Sequence, residues 1–145
     1  DIGEKESLSY FFEHHQPTSL TLTLGNHDSF SAISKFYNIY VHHDHQKLYS
    51  SSEKEDFKFS YLDSSEGIID RQQLLWLKKE LLFSKPILIF LHHPIIGLKL
   101  KVDEIGKLKN RDEVIQLLEE NSNEINIFCG HYHMERAAMV TELLS

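Results

Sequence analysis

The chain has 145 residues, 41% of them hydrophobic and 26% charged, with one cysteine and a formal net charge of −7. That length suits a single domain, residues 1–145, with a sizeable core. The acidic balance argues against gripping a nucleic-acid backbone, where each neutralised phosphate needs a cation, but not against a small phosphorylated substrate whose charge bound metal ions offset.

One cysteine excludes an intrachain disulfide and points to a reducing, cytoplasmic setting. The apolar runs fall far short of the roughly 18 residues that a membrane span needs. Oligomeric state is not legible.

Taken in chain order, residues 4–15 place Leu8, Phe11 and Phe12 at helical spacing, and His14 and His15 close that helix against its dipole. Residues 20–24 alternate as a half-buried strand, and "GNHD" at 25–28 forms its tip. A second helix is expected over 29–40, with Phe30, Ile33 and Tyr37 on one face. A long polar loop over 42–56 then holds His42, His43 and His45.

"FKFSYLD" at 57–63 alternates as a strand, and "DSSEG" reads as a turn. Asp70 can cap the next helix and Gln73 complete a capping box, ahead of a buried stripe of Leu74, Leu77 and Leu81. "ILIFL" at 87–91 is a continuous apolar run, as expected of a strand covered on both faces. Residues 97–109 read as a Lys-rich loop. Asn110 and Glu113 repeat the capping pattern before the inward-facing Val114, Ile115, Leu117 and Leu118, and "INIFC" at 125–129 is another apolar strand. Cys129 is expected to be buried and inert.

Strands alternating with helices argue for α/β layers. Three strands end in polar, His-bearing tips, after Leu24, Leu91 and Cys129. In an α/β sheet such tips gather where ligands bind, outside the carboxyl ends of the strands. Turn chemistry explains Gly, Asn and Asp at one tip, but His is no favoured turn former. Imidazoles with an amide and a carboxylate make a mixed N/O donor set for a transition metal. His92, His131 and His133, with Asn26 and Asp1, are therefore the candidate ligands. His131 and His133 lie two apart, so both can face one site, and Gly130 is expected to permit close backbone approach. His93 reads as a neighbour behind the ligands or facing the substrate.

"GNHD" at 25–28, "LHHP" at 91–94 and "GHYH" at 130–133, in that order, resemble the calcineurin-like metallophosphoesterases. "YLDSSEG" followed by "QLLWLKKEL" resembles the branch containing the class III cyclic-nucleotide phosphodiesterases. The resemblance implies a layered α/β/β/α sandwich, with the N-terminal strand and some C-terminal strands absent from this sequence.

It also implies a binuclear centre of two divalent transition-metal ions (Mn, Fe or Zn). Asp1 would bridge both ions; Asn26, His92 and His131 would complete the second site, and His133 would serve the first. The family's Asp-x-His, which completes the first site, has no counterpart here. His27 would protonate the leaving oxygen, and Glu4 would orient it. The implied reaction is hydrolysis of a phosphodiester, such as a cyclic nucleotide, by a metal-bridging hydroxide. The alternatives are a phosphomonoesterase, a nucleotide-sugar or phospholipid-headgroup hydrolase, or a non-catalytic protein-binding module on the same fold. His27 favours an enzyme, since a scaffold needs no leaving-group acid.

Overall fold

The structure, a computed structural model, describes residues 1–3, 5–15, 20–37, 46–97 and 99–134. Helices are α1 (Lys5–His14), α2 (Phe30–Ile33), α3 (Arg71–Glu80), α4 (Lys101–Gly106) and α5 (Arg111–Glu119). Strands are β1 (Ser50–Glu53), β2 (Lys58–Tyr61), β3 (Ile87–Leu91) and β4 (Ile125–Cys129). They form one four-stranded sheet in the order β1-β2-β3-β4. β1 runs antiparallel to β2, while β2, β3 and β4 are parallel. Parallel neighbours need crossover connections, and α3 and α5 provide them. The mixed α/β architecture is the expected one, as part of the layered sandwich.

The strands alternate in what they bury. On β3, Ile87, Ile89 and Leu91 are buried beneath Leu74 and Leu77 of α3 and Val114 of α5, in one core cluster with Leu62, Ile69 and Leu108. Leu77 has no exposed surface; burying such a side chain contributes about 1.5–3 kcal/mol. A second cluster packs Leu8 of α1 against Leu24, Ile33 and Leu48.

The opposite sheet face carries a row of stacked rings, with Phe90 between Tyr61 at 5.3 Å and Phe128 at 4.9 Å. Phe128 is 50% exposed. The expectation that 87–91 is covered on both faces therefore fails: among the described residues no layer covers this side, and Leu88 and Phe90 stay half-buried.

Other expectations need correction. Residues 20–24 form no strand, because no described strand bonds to them and a strand is defined by its ladder. The loop expected over 42–56 contains β1, whose hydroxyl-rich Ser50–Glu53 pairs along the edge of β2. The Lys-rich loop contains α4. The helix expected over 29–40 is one turn capped by Ser29, whose Oγ accepts from the Ala32 amide; residues 38–40 lie outside the described set.

Asp70 caps α3 through the Gln73 amide, but Gln73 does not complete a box. Its buried side chain instead brackets Asp63, with Oε1 accepting from the Asp63 amide at 3.0 Å and Nε2 donating to the Asp63 carbonyl at 2.9 Å. Cys129 is exposed on β4, the outermost strand among the described residues, although burial of its thiol pushes the pKa up to about 11. Among the described residues, no helix is long and apolar enough to cross a membrane.

Candidate metal centre

Because β2, β3 and β4 are parallel, their carboxyl ends lie on one edge of the sheet. His92 follows β3 directly, and His131 follows β4 after Gly130. The Gly130 amide donates to the His92 carbonyl at 3.0 Å, extending the β3–β4 ladder past the strand ends and holding the two tips together.

The centre of the cluster is His92 Nε2. It lies 2.9 Å from His131 Nδ1, 3.0 Å from Asn26 Oδ1 and 3.5 Å from Asp1 Oδ2. Donors bound about 2.0–2.2 Å from one ion stand about 3.0–3.6 Å from each other, depending on coordination geometry. The three distances from His92 Nε2 lie near that range, and two imidazole nitrogens with two oxygens suit Zn, Mn or Fe. The donor types thus suit a divalent cation, and Asn26 adds a neutral oxygen to them. Among the described residues, no group of three or more His, Cys, Asp or Glu side chains is arranged to hold a metal ion.

The imidazoles sit in a low-dielectric tip. Burial pushes His92 down to about 4, helped by the neighbouring His131. Burial also pushes His93 down to about 4. Burial lowers the His131 pKa, against an opposing pull from the Gly106 backbone. A methyl on Gly106 would stand 2.6 Å from His131 Nε2, so Nε2 is the edge of the ring that meets Gly106. A proton on Nε2 leaves the Nδ1 lone pair facing His92, Asn26 and Asp1.

The turn of residues 25–28 brings Asn26 in. It is closed by the Asp28 amide donating to the Gly25 carbonyl at 3.0 Å. The Asp28 carboxylate accepts from the Ile2, Gly3 and Gly25 amides at 2.7–2.9 Å, which ties the Asp1 segment to the turn. Burial raises the Asp28 pKa, but these amides outweigh it and the net shift is downward. Asp1 Oδ1 in turn accepts from the His27 amide at 3.1 Å. His27 is exposed beside the cluster.

His133 is exposed and does not join the four donors; it has a left-handed φ of 52°, and His131 one of 71°. Glu4, His42, His43 and His45 lie outside the described residues. Gly130 is not the tight glycine expected: a methyl there would be 3.9 Å from its nearest neighbours, an ordinary contact. The tight position is Gly25, where a methyl would collide with the Asp1 carboxylate and stand 2.9 Å from His92 Cε1.

A fourth tip joins the group unannounced. Ser64, in the turn after β2, is fully buried; its Oγ accepts from the His93 amide at 3.1 Å and hydrogen-bonds His93 Nδ1 at 3.0 Å. The Nδ1 of His93 is thereby tied to Ser64, while its ring stays 4.5 Å from that of His131. The available signal was position alone: "DSSEG" ends a strand as the three His-bearing tips do, but its residues are ordinary turn formers.

A family model described as calcineurin-like phosphoesterase matches residues 3–135. A probable cyclic nucleotide phosphodiesterase of Fibrobacter succinogenes is 33% identical over 114 residues, 77% of this chain and 44% of that protein. A probable glycerophosphodiester phosphodiesterase GpdQ of Arcobacter nitrofigilis is 29% identical, over 75% of this chain and 43% of that protein. A probable cyclic nucleotide phosphodiesterase of Colwellia psychrerythraea is 26% identical, over 83% and 46% respectively. The chain thus spans less than half the length of the curated relatives it matches.

Proposed function

The chain belongs to the calcineurin-like phosphoesterase family, and from that premise we propose that it serves a metal-dependent hydrolase of small phosphodiesters. The observation that carries the reading is the convergence of His131 Nδ1, Asn26 Oδ1 and Asp1 Oδ2 on His92 Nε2, at 2.9–3.5 Å. The phosphodiester class is supported by the relatives, named as probable phosphodiesterases of cyclic nucleotides and of glycerophosphodiesters.

Asp1, Asn26, His92 and His131 would hold one divalent ion, and Asp1 with His133 would contribute to a second. When bound, such ions supply Lewis acidity for the phosphoryl oxygens and an activated water as nucleophile. The chain's own residues do the remaining work. The neutral imidazoles of His92 and His131 present lone pairs without having to lose a proton first. Asp1 holds the His27 amide through Oδ1, so the carboxylate and the proposed acid keep a fixed relation. His27, exposed beside the cluster, delivers a proton to the departing alkoxide oxygen. A reducing, cytoplasmic setting fits the single-cysteine composition.

The test is hydrolysis of bis-nitrophenyl phosphate by the full polypeptide supplied with Mn²⁺. Activity should vanish with a chelator, return with metal and be lost in Asn26→Ala together with bound metal. A pure, metal-loaded protein that cleaves no phosphodiester overturns the proposal.

A further inference from the structure

Tyr132 separates His131 from His133, and both histidines hold left-handed φ values, 71° and 52°. Non-glycine residues there cost of order 1–3 kcal/mol each and persist only where the surroundings hold them. The surroundings include one short helix. The Tyr132 hydroxyl donates to Asp103 Oδ1 at 2.8 Å, and the same oxygen accepts from Arg111 Nη1 at 2.8 Å. Asp103 is buried on α4, and Arg111 opens α5, which is anchored in the core through Val114.

The ion pair is packed against the backbone of Gly97, where a methyl would stand 2.9 Å from Arg111 Nη2 and 3.0 Å from Asp103 Oδ2. The last residue of α4 is Gly106, which lies against the His131 ring, where a methyl would stand 2.6 Å from Nε2. One helix therefore grips Tyr132 with its first turn and His131 with its last.

Apolar burial does little to seat α4. Val102 is 44% exposed and Ile105 93% exposed. Its position depends heavily on the polar bonds of Asp103 and on the close contact of Gly106 with the His131 ring. We propose that Tyr132, Asp103 and Arg111 form a positioning relay that seats α4 against the strand tip and so fixes the ring orientation and tautomer of His131. The relay rests on the phosphoesterase reading of the cluster. It contains positioning residues, none of which touches substrate. A metal-ligating histidine is oriented by the group that accepts its second N–H, and loss of such support typically costs 10–100-fold in metal affinity.

Tyr132→Phe removes a single hydroxyl and Asp103→Asn is isosteric. In the full polypeptide, freed of metal and titrated with Co²⁺ alone, visible absorption reports binding and ¹⁵N shifts report the His131 ring. Tyr132→Phe should weaken Co²⁺ binding about 10-fold or more and shift the His131 nitrogens toward a mixture of tautomers. Asp103→Asn should do the same, and the double variant should fall little further, because both act through one path. Ile105→Ser, on the exposed side of α4, should match the parent.

Parental affinity and parental His131 shifts in Tyr132→Phe overturn the relay, and that variant alone decides if Asp103→Asn does not fold. A parent that binds no Co²⁺ overturns the functional reading and the relay together. A parent that binds it, with variants indistinguishable from it, overturns the relay only.

Discussion

The Cα of Gly25 lies against the Asp1 carboxylate so closely that a methyl group there would occupy the carboxylate's place and crowd the His92 ring. The first residue in "GNHD" is therefore fixed by contact with Asp1 and His92, since Gly25 does not have a left-handed φ.

Gly25→Ala and Gly130→Ala should behave differently. The Asp1 side chain is flexible and would swing aside, so Gly25→Ala should cost about 1–3 kcal/mol of stability while removing Asp1 from the donor set. Metal titration should show the larger loss. Gly130→Ala meets only ordinary contacts and should keep both stability and metal, as thermal melts and the same titration will read.

His92→Ala and His93→Ala separate ligand from support. His92 Nε2 faces the donors, whereas His93 is bonded on its Nδ1 and its amide to Ser64. Bound metal, measured by elemental analysis after dialysis, should be lost in the first variant and largely retained in the second. Equal loss in both, or greater loss in His93→Ala, contradicts the assignment.

His27→Ala should keep its metal and lose rate. Removal of a general acid costs on the order of 10²–10⁴, and the loss should be steep for alkyl phosphodiesters but mild for bis-nitrophenyl phosphate, whose leaving group departs without a proton. Collapse of the metal content, or equal loss on both substrates, would assign His27 a different role.

Gln73→Leu should destabilise the fold without touching the cluster. It orphans the buried Asp63 amide and carbonyl, each at about 1–3 kcal/mol. Urea denaturation should register a loss on the order of 2–5 kcal/mol. A change within about 0.5 kcal/mol would mean that water replaces the amide.

Periodicity made the interior of the sheet legible. Ile87–Leu91 and Ile125–Cys129 occur as strands, and the Leu74–Leu77–Leu81 stripe is buried as read; burial dictates residue type on β3 and α3, whereas β4 leaves Phe128 and Cys129 exposed. Ser50–Glu53 escaped because an edge strand of hydroxyls has no apolar alternation to betray it. The short α4 escaped for a similar reason, its Val102 and Ile105 being turned to solvent.

At the tips, His92, His131 and Asn26 were conspicuous as unusual polar residues at strand ends. Asp28 and Ser64 were not, since turns favour both anyway. Their importance lies in partners 25 and 29 positions away, which no local pattern encodes.

The separation of the donors along the chain also governs when the cluster can exist. His92 meets Asn26 across 66 positions and His131 across 39. No fragment holding a single helix and strand contains the set, and loops this long must close before the donors meet. The cluster is consequently a property of the native state, absent from early collapsed forms. Any cation it binds therefore acts on the folding equilibrium by mass action, contributing about 2.7 kcal/mol when free metal stands at one hundred times its dissociation constant. In such a chain, the melting temperature becomes a measure of metal supply.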